Sequence, residues 1–502
     1  MSLRQKAFRG SAVLTAGEGI IYGASFARNM ILARLLTRAD FGIAATLAMI
    51  ITLLEFSAKL GIARFVVRDK EGDQPDFIAA AHLVQGMAAV ISSLLMAAAA
   101  WPMALLFGIR EQAAGLLVLS VIPLLHGFGH LDVRRFEREL RFGPAAMVDV
   151  VPQIFITLLA WPVAVWLGDY RAVLVLLILK AVLTCGGSHW LAEQPYRWRI
   201  QREYVRRMLR FGWPLLVSGF LMFGVLHGDQ FIVATFYAME QLGPYAAAAS
   251  LTLAPSFFFG RVFSSVMLPV MARVQDDAAA FERRYRLVIA VICAFSATYA
   301  VVMIVGAEVL MQLVFGRKYA GAGIILGWLA GANAFRNIRI APTIAAMAKG
   351  DSANQMVSNL WRVTALAPAL AVAAAGKPVW MIACTGLVGE ALACAVSFRR
   401  LTRRDGVPLA RSLAPTSLVV AAVALAGAAS LFLGTHQAHP LAALGLALAG
   451  GCIVGGLVIV ILADTRREAR DLLERVRAAG WRGIIPLLKG SATGRHSEAA
   501  KA

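Results

Sequence analysis

The chain has 502 residues, of which 59% are Ala, Val, Ile, Leu, Met, Phe, Trp, Tyr or Cys, and only 16% are Asp, Glu, Lys or Arg. So few charges cannot cover the surface of a soluble protein of this size, and so apolar a chain is neither disordered nor a small disulfide-stapled domain. The formal net charge of +20 fits either a nucleic-acid partner or a membrane surface until its location is known. The composition predicts an integral membrane protein.

Apolar stretches long enough to cross a bilayer recur along the whole chain. A helix that spans about 30 Å of hydrocarbon needs about 20 mostly apolar residues. Fourteen stretches meet this requirement, at 11–36, 41–63, 78–106, 113–131, 145–167, 172–192, 211–237, 243–271, 287–307, 320–348, 353–375, 378–398, 413–433 and 441–463. The sequence therefore predicts about fourteen transmembrane helices.

The positive charges between these stretches are strongly one-sided. If the N-terminus is cytoplasmic, 35 of the 49 Lys and Arg residues fall in cytoplasmic segments and 6 in loops on the other side. Positively charged loops are retained on the cytoplasmic side of a membrane. We therefore predict a multi-pass protein of the bacterial inner membrane with both termini in the cytoplasm. Most of the net charge of +20 therefore reflects the orientation of the chain in the membrane, and no nucleic-acid partner is predicted.

The two halves of the chain resemble each other at a separation of 201 residues. This shift aligns Arg9 with Arg210 and Gly42 with Gly243 without a gap, and it lays ARNMILARLLTRADFGIAA over GDQFIVATFYAMEQLGPYA. Six spans per half keep both halves in the same orientation, as in transporters whose halves are related by an axis normal to the membrane. The predicted fold is an all-α membrane protein with two six-helix lobes related by a pseudo-twofold, plus two C-terminal helices. The predicted units are an N-lobe at 1–205, a C-lobe at 206–400, two helices at 401–463 and a basic amphipathic cytoplasmic tail at 464–502.

Three segments carry a resemblance to a known family. The opening RGSAVLTAGEGIIYGASFARNMILARLLTRADFGIAA resembles the first two helices of bacterial oligosaccharide flippases, which belong to the multidrug/oligosaccharidyl-lipid/polysaccharide exporter superfamily. RFGWPLLVSGFLMFGVLHGDQFIVATFYAMEQLGPYAAA and RVFSSVMLPVMARVQDDAAAFERRYR are similar to that family as well, so the resemblance covers roughly residues 9–290. It implies movement of an undecaprenyl-diphosphate-linked sugar for O-antigen or exopolysaccharide, through a cationic central cavity.

Charged residues inside the predicted spans are the candidates for a functional site. An ionisable group near the bilayer centre costs about 2.5–3.5 kcal/mol on insertion scales, so each needs a partner or a polar cavity. The cations expected to meet the substrate diphosphate, since guanidinium groups can bind phosphate in bidentate fashion, are Arg28, Lys59, Arg261, Arg336 and Arg339. The carboxylates expected to couple transport to an ion or to gate the cavity are Glu18, Glu55 and Asp229.

Each of these assignments has a structural alternative. Arg336 and Arg339 share one helix face and would otherwise pair with Glu308 or Glu390. Glu18 would carry a proton if burial raised its pKa, or would serve instead as a structural partner for Arg28.

Two further pairs also have two interpretations. Arg28 and Asp229 are equivalent under the repeat and would close an outer gate as an ion pair, whereas the alternative is a snorkelling arginine and a locally hydrogen-bonded carboxylate. Glu55 and Lys59 are four residues apart and would pair with each other.

The favoured function is a flippase that moves lipid-linked oligosaccharide by alternating access, with no enzymatic step. No GxxxxGK[ST] loop is present to bind ATP, so H+ or Na+ coupling or product removal would supply the energy. No metal or other cofactor is predicted, because His126 and His130 have no third ligand at a fixed spacing. The expected partners are the lipid-linked substrate, membrane lipids and other polysaccharide assembly proteins.

Two other functions remain alternatives. A multidrug or cation antiporter of the same superfamily is disfavoured by the fourteen predicted spans and the basic interior. A membrane polysaccharide polymerase or ligase is disfavoured by the short non-cytoplasmic loops, since such enzymes need a sizeable external loop.

Overall fold

The described part of the chain is helical throughout. The computed structural model describes residues 3–58, 61–139, 141–435 and 440–461, with side chains described there except at 3–15, 54–58, 214, 433–435 and 440–441. The helices are α1 (Leu3–Leu35), α2 (Arg38–Ala58), α3 (Ile62–Arg68), α4 (Pro75–Leu106), α5 (Ala113–Leu119), α6 (Val121–Gly127), α7 (Asp132–Arg138), α8 (Gly143–Leu167), α9 (Arg171–Trp190), α10 (Arg202–Phe236), α11 (Met239–Ala272), α12 (Ala278–Val305), α13 (Ala307–Phe315), α14 (Gly323–Ile338), α15 (Ile340–Ala348), α16 (Ala353–Thr364), α17 (Leu366–Ala374), α18 (Trp380–Asp405), α19 (Leu409–Thr435) and α20 (Pro440–Ile461). The predicted tail at 464–502 lies outside the described residues.

Many of these helices are long and apolar enough to cross a membrane. Ten meet that requirement among the described residues, and an eleventh span results if Arg110–Gly127 and Asp132–Arg138, which bend by 48°, are counted together. The all-α, multi-pass membrane architecture predicted from the sequence is thus confirmed. The count of fourteen spans, the lobe symmetry and the four units stay predictions.

Three of the predicted spans are each divided into two helices by a local break. The breaks fall at Ser120, Arg339 and Ala365, and the residues three positions later are Pro123, Pro342 and Pro368. A proline lacks the amide hydrogen and its ring clashes with the carbonyl four residues earlier, so the helix bends on its N-terminal side. As a result, the candidate residue Arg339 lies at a bend.

The two ends of the bundle differ in how the halves of the chain meet. We call the end with loops 69–74, 141–142, 191–201, 273–277, 349–352 and 406–408 the basic end, and the end with loops 36–37, 107–109, 168–170, 237–238, 316–322 and 375–379 the opposite end. One buried apolar cluster at the opposite end contains residues of both halves, such as Leu36 and Phe315. Towards the basic end there are two separate apolar clusters. The one around Phe77 joins first-half residues to Met208 at the start of α10, and the one around Phe281 contains only residues that follow α10.

Backbones of the two halves touch closely at the opposite end. A Cβ on Gly42 would lie 2.1 Å from the carbonyl oxygen of Met239, and one on Gly243 would lie 2.2 Å from that of Arg38. Only glycine fits either position without moving the backbone. Both glycines and both contacted residues are 201 positions apart, so the contact is reciprocal, as a twofold axis between the halves would require.

Candidate functional site

Four charged side chains from α14, α16, α18 and the break between α14 and α15 meet at one point in the second half. Glu390 is completely buried, and its Oε1 lies 2.7 Å from Nη2 of Arg336 and 3.0 Å from Nε of Arg362. Its other oxygen lies 3.4 Å from Nη2 of Arg339. We call these four residues the arginine cluster. Its three guanidinium groups face one carboxylate, which leaves an excess of two positive charges.

The local sequence explains how three helices bring these groups together. The bend before Pro342 ends α14 at Ile338 and places Arg339 between α14 and α15. On α18, a Cβ at Gly389 would lie 2.4 Å from the Cβ of Ala365. The missing side chain therefore lets α18 approach α16 closely enough for the adjacent Glu390 to reach Arg362.

Neutral polar groups accept hydrogen bonds from some of the guanidinium donors of the arginine cluster. Nη1 of Arg339 donates to Ser358 Oγ at 3.0 Å and to Asn359 Oδ1 at 2.7 Å, and Nη1 of Arg336 approaches Asn333 Oδ1 at 3.2 Å. Two buried donors of the cluster, one on Arg339 and one on Arg362, have no hydrogen-bond partner. Buried donors without acceptors are costly, so the cluster has unused capacity for an anion or for water.

The members of the cluster differ in exposure. The side chain of Arg336 is 17% exposed, whereas those of Arg339 and Arg362 are 9% and 4% exposed. Arg336 is therefore the member that a ligand reaches first. Asp229 on α10 is a second carboxylate within electrostatic range of Arg362.

A second ion pair joins α1 to α11 across the two halves of the chain. Nη2 of Arg261 donates to Oε1 of Glu18 at 2.6 Å, and Nε of Arg261 contacts Oε2, so the pair is bidentate. Next to it, the rings of Tyr22 and Phe257 stack with centroids 5.8 Å apart. The side chains of Arg261 and Glu18 are 57% and 36% exposed, so this pair stands in open space.

The structure brings together some of the sequence-predicted site residues and separates others. Arg336 and Arg339 meet at Glu390, whereas Glu308 accepts hydrogen bonds from Gln312 and from backbone amides of the following loop. The pairing with Glu390 matches the structural alternative considered for Arg336 and Arg339, whereas Glu18 pairs with Arg261 and not with Arg28, its expected structural partner. Neither outcome tests a role in binding substrate.

The expected ion pair between Arg28 and Asp229 is not formed. Asp229 accepts a hydrogen bond from the Tyr245 hydroxyl at 2.8 Å, because the start of α11 places that tyrosine beside the carboxylate. Nη2 of Arg28 contacts Asn29 at 3.3 Å, and its buried Nε has no partner. The ion pair that was predicted to close an outer gate is therefore not present in this conformation. Glu55 and Lys59 lie outside the described side chains.

Histidines form a ring cluster that the sequence analysis did not anticipate. The rings of His82 and His130 lie 4.7 Å apart, and Tyr196 stacks on His82 at 4.3 Å. Nε2 of His82 accepts from the backbone amide of Leu131. Among the described residues, no group of three His, Cys, Asp or Glu side chains is arranged to hold a metal ion. These imidazoles shape the turn between α6 and α7.

Arg362 is the member of the site that sequence reasoning did not place there, and Glu390 was named only as one of two alternative partners of Arg336 and Arg339. Both were recognisable as charges inside predicted spans, but nothing in their spacing shows that they meet. The useful local signal was the pair Gly389 and Glu390, a residue without a side chain beside a charge in an apolar helix.

The fold is similar to those of two solved transporters. The structure of lipid II flippase MurJ in an inward closed conformation matches with a TM-score of 0.70 and 14% identity, covering 92% of this chain and 99% of that chain. An inward-facing multidrug resistance MATE family transporter of the MOP superfamily matches with a TM-score of 0.58 and 15% identity, covering 77% of this chain and 94% of that one. Likeness at this identity concerns the fold alone.

Two curated proteins are similar in sequence. Succinoglycan biosynthesis transport protein ExoT of Rhizobium meliloti is 21% identical over 313 residues, which are 62% of this chain and 62% of that protein. Lipopolysaccharide biosynthesis protein WzxC of Escherichia coli is 22% identical over 331 residues, covering 64% of this chain and 65% of that protein. The aligned region thus spans somewhat less than two thirds of either relative.

A family model settles the classification. The model described as polysaccharide biosynthesis protein matches residues 31–323, which is more than half of the chain. This range contains the end of α1, all of α2 and the whole second helix pair of the 201-residue repeat, α10 and α11. The chain therefore belongs to the polysaccharide biosynthesis protein family, which confirms the resemblance inferred from residues 9–290.

Proposed function

We propose that this protein is a flippase that moves an undecaprenyl-diphosphate-linked oligosaccharide across the bacterial inner membrane for O-antigen or exopolysaccharide synthesis. The observation that carries the proposal is the arginine cluster, in which three arginines share one carboxylate inside a membrane-spanning bundle of this family, so that the site stays positive even with Asp229 nearby. A diphosphate is the anion that matches it in charge and geometry, because planar guanidinium groups bind phosphate oxygens in pairs. The names of the two curated relatives, a succinoglycan transport protein and a lipopolysaccharide biosynthesis protein, agree with such a substrate.

The barrier to unaided transfer comes from the charged head group, which is strongly disfavoured in hydrocarbon. In the proposed mechanism Arg336 meets the diphosphate first, and Arg339 and Arg362 hold the local potential positive behind it. Glu390 neutralises part of the charge while the site is empty. The glycan stays in a polar cleft and the polyprenyl tail stays in lipid, so no covalent bond changes.

Alternating access requires the halves of the chain to move relative to each other. We assign these halves to the predicted lobes 1–205 and 206–400, followed by helices at 401–463. Near the basic end the cluster around Phe77, which includes the start of α10, is separate from the cluster around Phe281. This separation supports a cleft that opens there, while the shared cluster seals the opposite end. Glu18 and Arg261 would then bridge the cleft, and Arg28 and Asp229 would line its sealed part.

The orientation and the partners are part of the same proposal. The excess of Lys and Arg at the basic end supports a cytoplasmic location for that end and for both termini. The substrate would then enter from the cytoplasmic leaflet and be handed to polysaccharide assembly proteins on the other side. We propose that H+ or Na+, or removal of the product, drives transfer in that direction.

The test uses cells in which this chain is the only source of the activity. Changing Arg336→Gln together with Arg339→Gln should abolish glycan export and accumulate the lipid-linked intermediate in the cytoplasmic leaflet. Arg283→Gln with Arg403→Gln is the matched control, since it removes two exposed charges elsewhere.

Protein abundance in the membrane is measured alongside export. If the double variant is poorly produced, Arg336→Gln alone replaces it, because Arg339 and Arg362 still pair with Glu390. Normal export by an abundant double variant would remove both arginines from the mechanism, and normal export by an abundant Arg336→Gln variant would remove Arg336.

A further inference from the structure

The first three turns of α10 present cationic and apolar side chains on one face. These side chains recur at the three- and four-residue spacing that keeps them together on a helix. They are Arg202, Val205, Arg206, Leu209, Arg210 and Trp213. They line a shallow surface cavity of about 720 Å³ at the basic end.

The other face of the same turns is firmly packed against the first half. Met208 is buried in the apolar cluster around Phe77, and the Tyr204 ring meets the Phe77 ring at 5.1 Å. Arg207 bridges Asp69 at 2.5 Å and Glu71 at 2.6 Å. Because this face anchors the helix, the face with the three other arginines is held outwards.

The four arginines of this segment therefore have different surroundings. Arg207 has two carboxylate partners, whereas Arg202, Arg206 and Arg210 are exposed and form no ion pair within the described part of the chain. Three uncompensated cations within about 12 Å of helix axis, at a rise of 1.5 Å per residue, create a strongly positive patch. An anionic ligand is the complementary occupant.

The apolar residues of the cavity indicate which kind of anion fits. Leu209 is 48% exposed and Trp213 is 63% exposed, directly beside the cations. A soluble anion gains nothing from such neighbours, whereas a lipid brings a phosphate and an acyl chain together. Tryptophan and arginine side chains also favour the boundary between head groups and hydrocarbon, where α10 begins its apolar span.

We propose that Arg202, Arg206 and Arg210, with Leu209 and Trp213, form a binding site for an anionic glycerophospholipid of the surrounding leaflet. The arginines bind the head-group phosphate, and Leu209 and Trp213 contact the upper acyl chain. The site is independent of the arginine cluster around Glu390. It would fasten the start of α10, and with it the basic end of the first half, to the membrane surface.

The test uses the full chain reconstituted in phosphatidylcholine vesicles that contain a fixed fraction of brominated lipid. Bromine quenches tryptophan within contact distance, and the difference between the protein and its Trp213→Phe variant isolates Trp213 among the 10 tryptophans. Brominated phosphatidylglycerol should quench this difference signal at least threefold more than brominated phosphatidylcholine. Equal quenching by the two lipids would overturn the proposal.

Charge variants separate a specific site from general attraction. The triple variant Arg202→Gln, Arg206→Gln and Arg210→Gln should lose the preference for phosphatidylglycerol. The matched triple variant Arg283→Gln, Arg399→Gln and Arg403→Gln, which removes three exposed charges elsewhere, should keep it. An equal loss in both would show attraction by net charge alone and overturn the site.

Two further measurements cover a triple variant that does not fold and a site that binds a soluble anion. If the first triple variant is not monodisperse, Arg206→Gln is compared with Arg206→Lys, and only the lysine variant should keep a preference. Inorganic phosphate added at millimolar concentration should leave Trp213 quenching unchanged. Full displacement of the lipid by phosphate would identify a site for a soluble anion and overturn the proposal.

Discussion

The arginine cluster and the Glu18–Arg261 pair both join arginine to glutamate, but they differ in burial and in whether one or both halves of the chain contribute. In the cluster, one fully buried carboxylate serves three arginines that all belong to helices of the second half. In the pair, one exposed carboxylate serves one exposed arginine of the other half. Burial makes the first arrangement expensive to disturb, and exposure makes the second easy to break. The cluster is therefore suited to holding charge in a fixed place, and the pair is suited to opening and closing.

The largest effect is expected when the carboxylate of the cluster is removed. Glu390→Gln keeps the shape but leaves the buried Arg339 and Arg362 and the partly buried Arg336 without this counter-charge, and breaking a buried pair typically costs about 3–5 kcal/mol. The unfolding midpoint in detergent should fall sharply. Glu111→Gln, at an exposed position of the short 3-10 helix Arg110–Gln112, is the control and should leave the midpoint unchanged.

A second substitution sharpens this result. Adding Arg362→Gln to Glu390→Gln removes one of the uncompensated charges and should recover part of the lost stability. Equal midpoints for Glu390→Gln and Glu111→Gln would mean that water or a bound anion already neutralises the arginines.

An intermediate effect is expected at the basic end, where a buried carboxylate has arginine partners. Asp351 lies between α15 and α16, and Arg400 donates to its two oxygens at 2.8 and 3.0 Å. The Arg400 guanidinium holds the pKa of the Asp351 carboxyl below its usual range. Its contribution to stability is therefore complete above about pH 4, the ordinary aspartate value, and is lost as the pH falls through the lower folded-state pKa.

The corresponding experiment measures the unfolding midpoint between pH 6 and pH 3 for the protein and for Asp351→Asn. The two midpoints should differ most at pH 6 and converge at the acidic end. A difference that stays constant with pH would show that the charge of Asp351 contributes nothing to stability. The stability effect expected at the Asp351–Arg400 pair is thus smaller than that at the arginine cluster and larger than that at the Glu18–Arg261 pair.

The sequence predicted the elements of this fold better than the contacts among its charges. Hydropathy alone located the long helices, because twenty apolar residues have few other stable solutions in a membrane. Arg336 and Arg339 were recognisable as one helix face, yet their choice of Glu390 over Glu308 depends on how closely α18 approaches α16 at Gly389. Arg28 and Asp229 were paired by repeat symmetry, but the local hydroxyl of Tyr245 has no equivalent in the first half, where Ala44 occupies the matching position.

The smallest effect on stability is expected at the pair between the halves. Exposed ion pairs contribute about 0–1 kcal/mol, so Glu18→Gln and Arg261→Gln should leave the unfolding midpoint nearly unchanged. If the pair opens in each transport cycle, removing it changes the transport rate by at most about fivefold, the factor that 1 kcal/mol represents. Transport of a lipid-linked oligosaccharide into the outer leaflet of proteoliposomes measures that rate.

The charge-swapped variant Glu18→Arg with Arg261→Glu separates a gating role from ion coupling. A gate needs only opposite charges on α1 and α11, so the swap should restore the wild-type rate. A coupling carboxylate must remain at position 18, so Glu18→Gln would uncouple transport from the ion gradient and the swap would not rescue it. Rescue by the swap would therefore assign Glu18 to the moving contact between the halves, and failure of rescue together with lost gradient dependence would assign it to coupling.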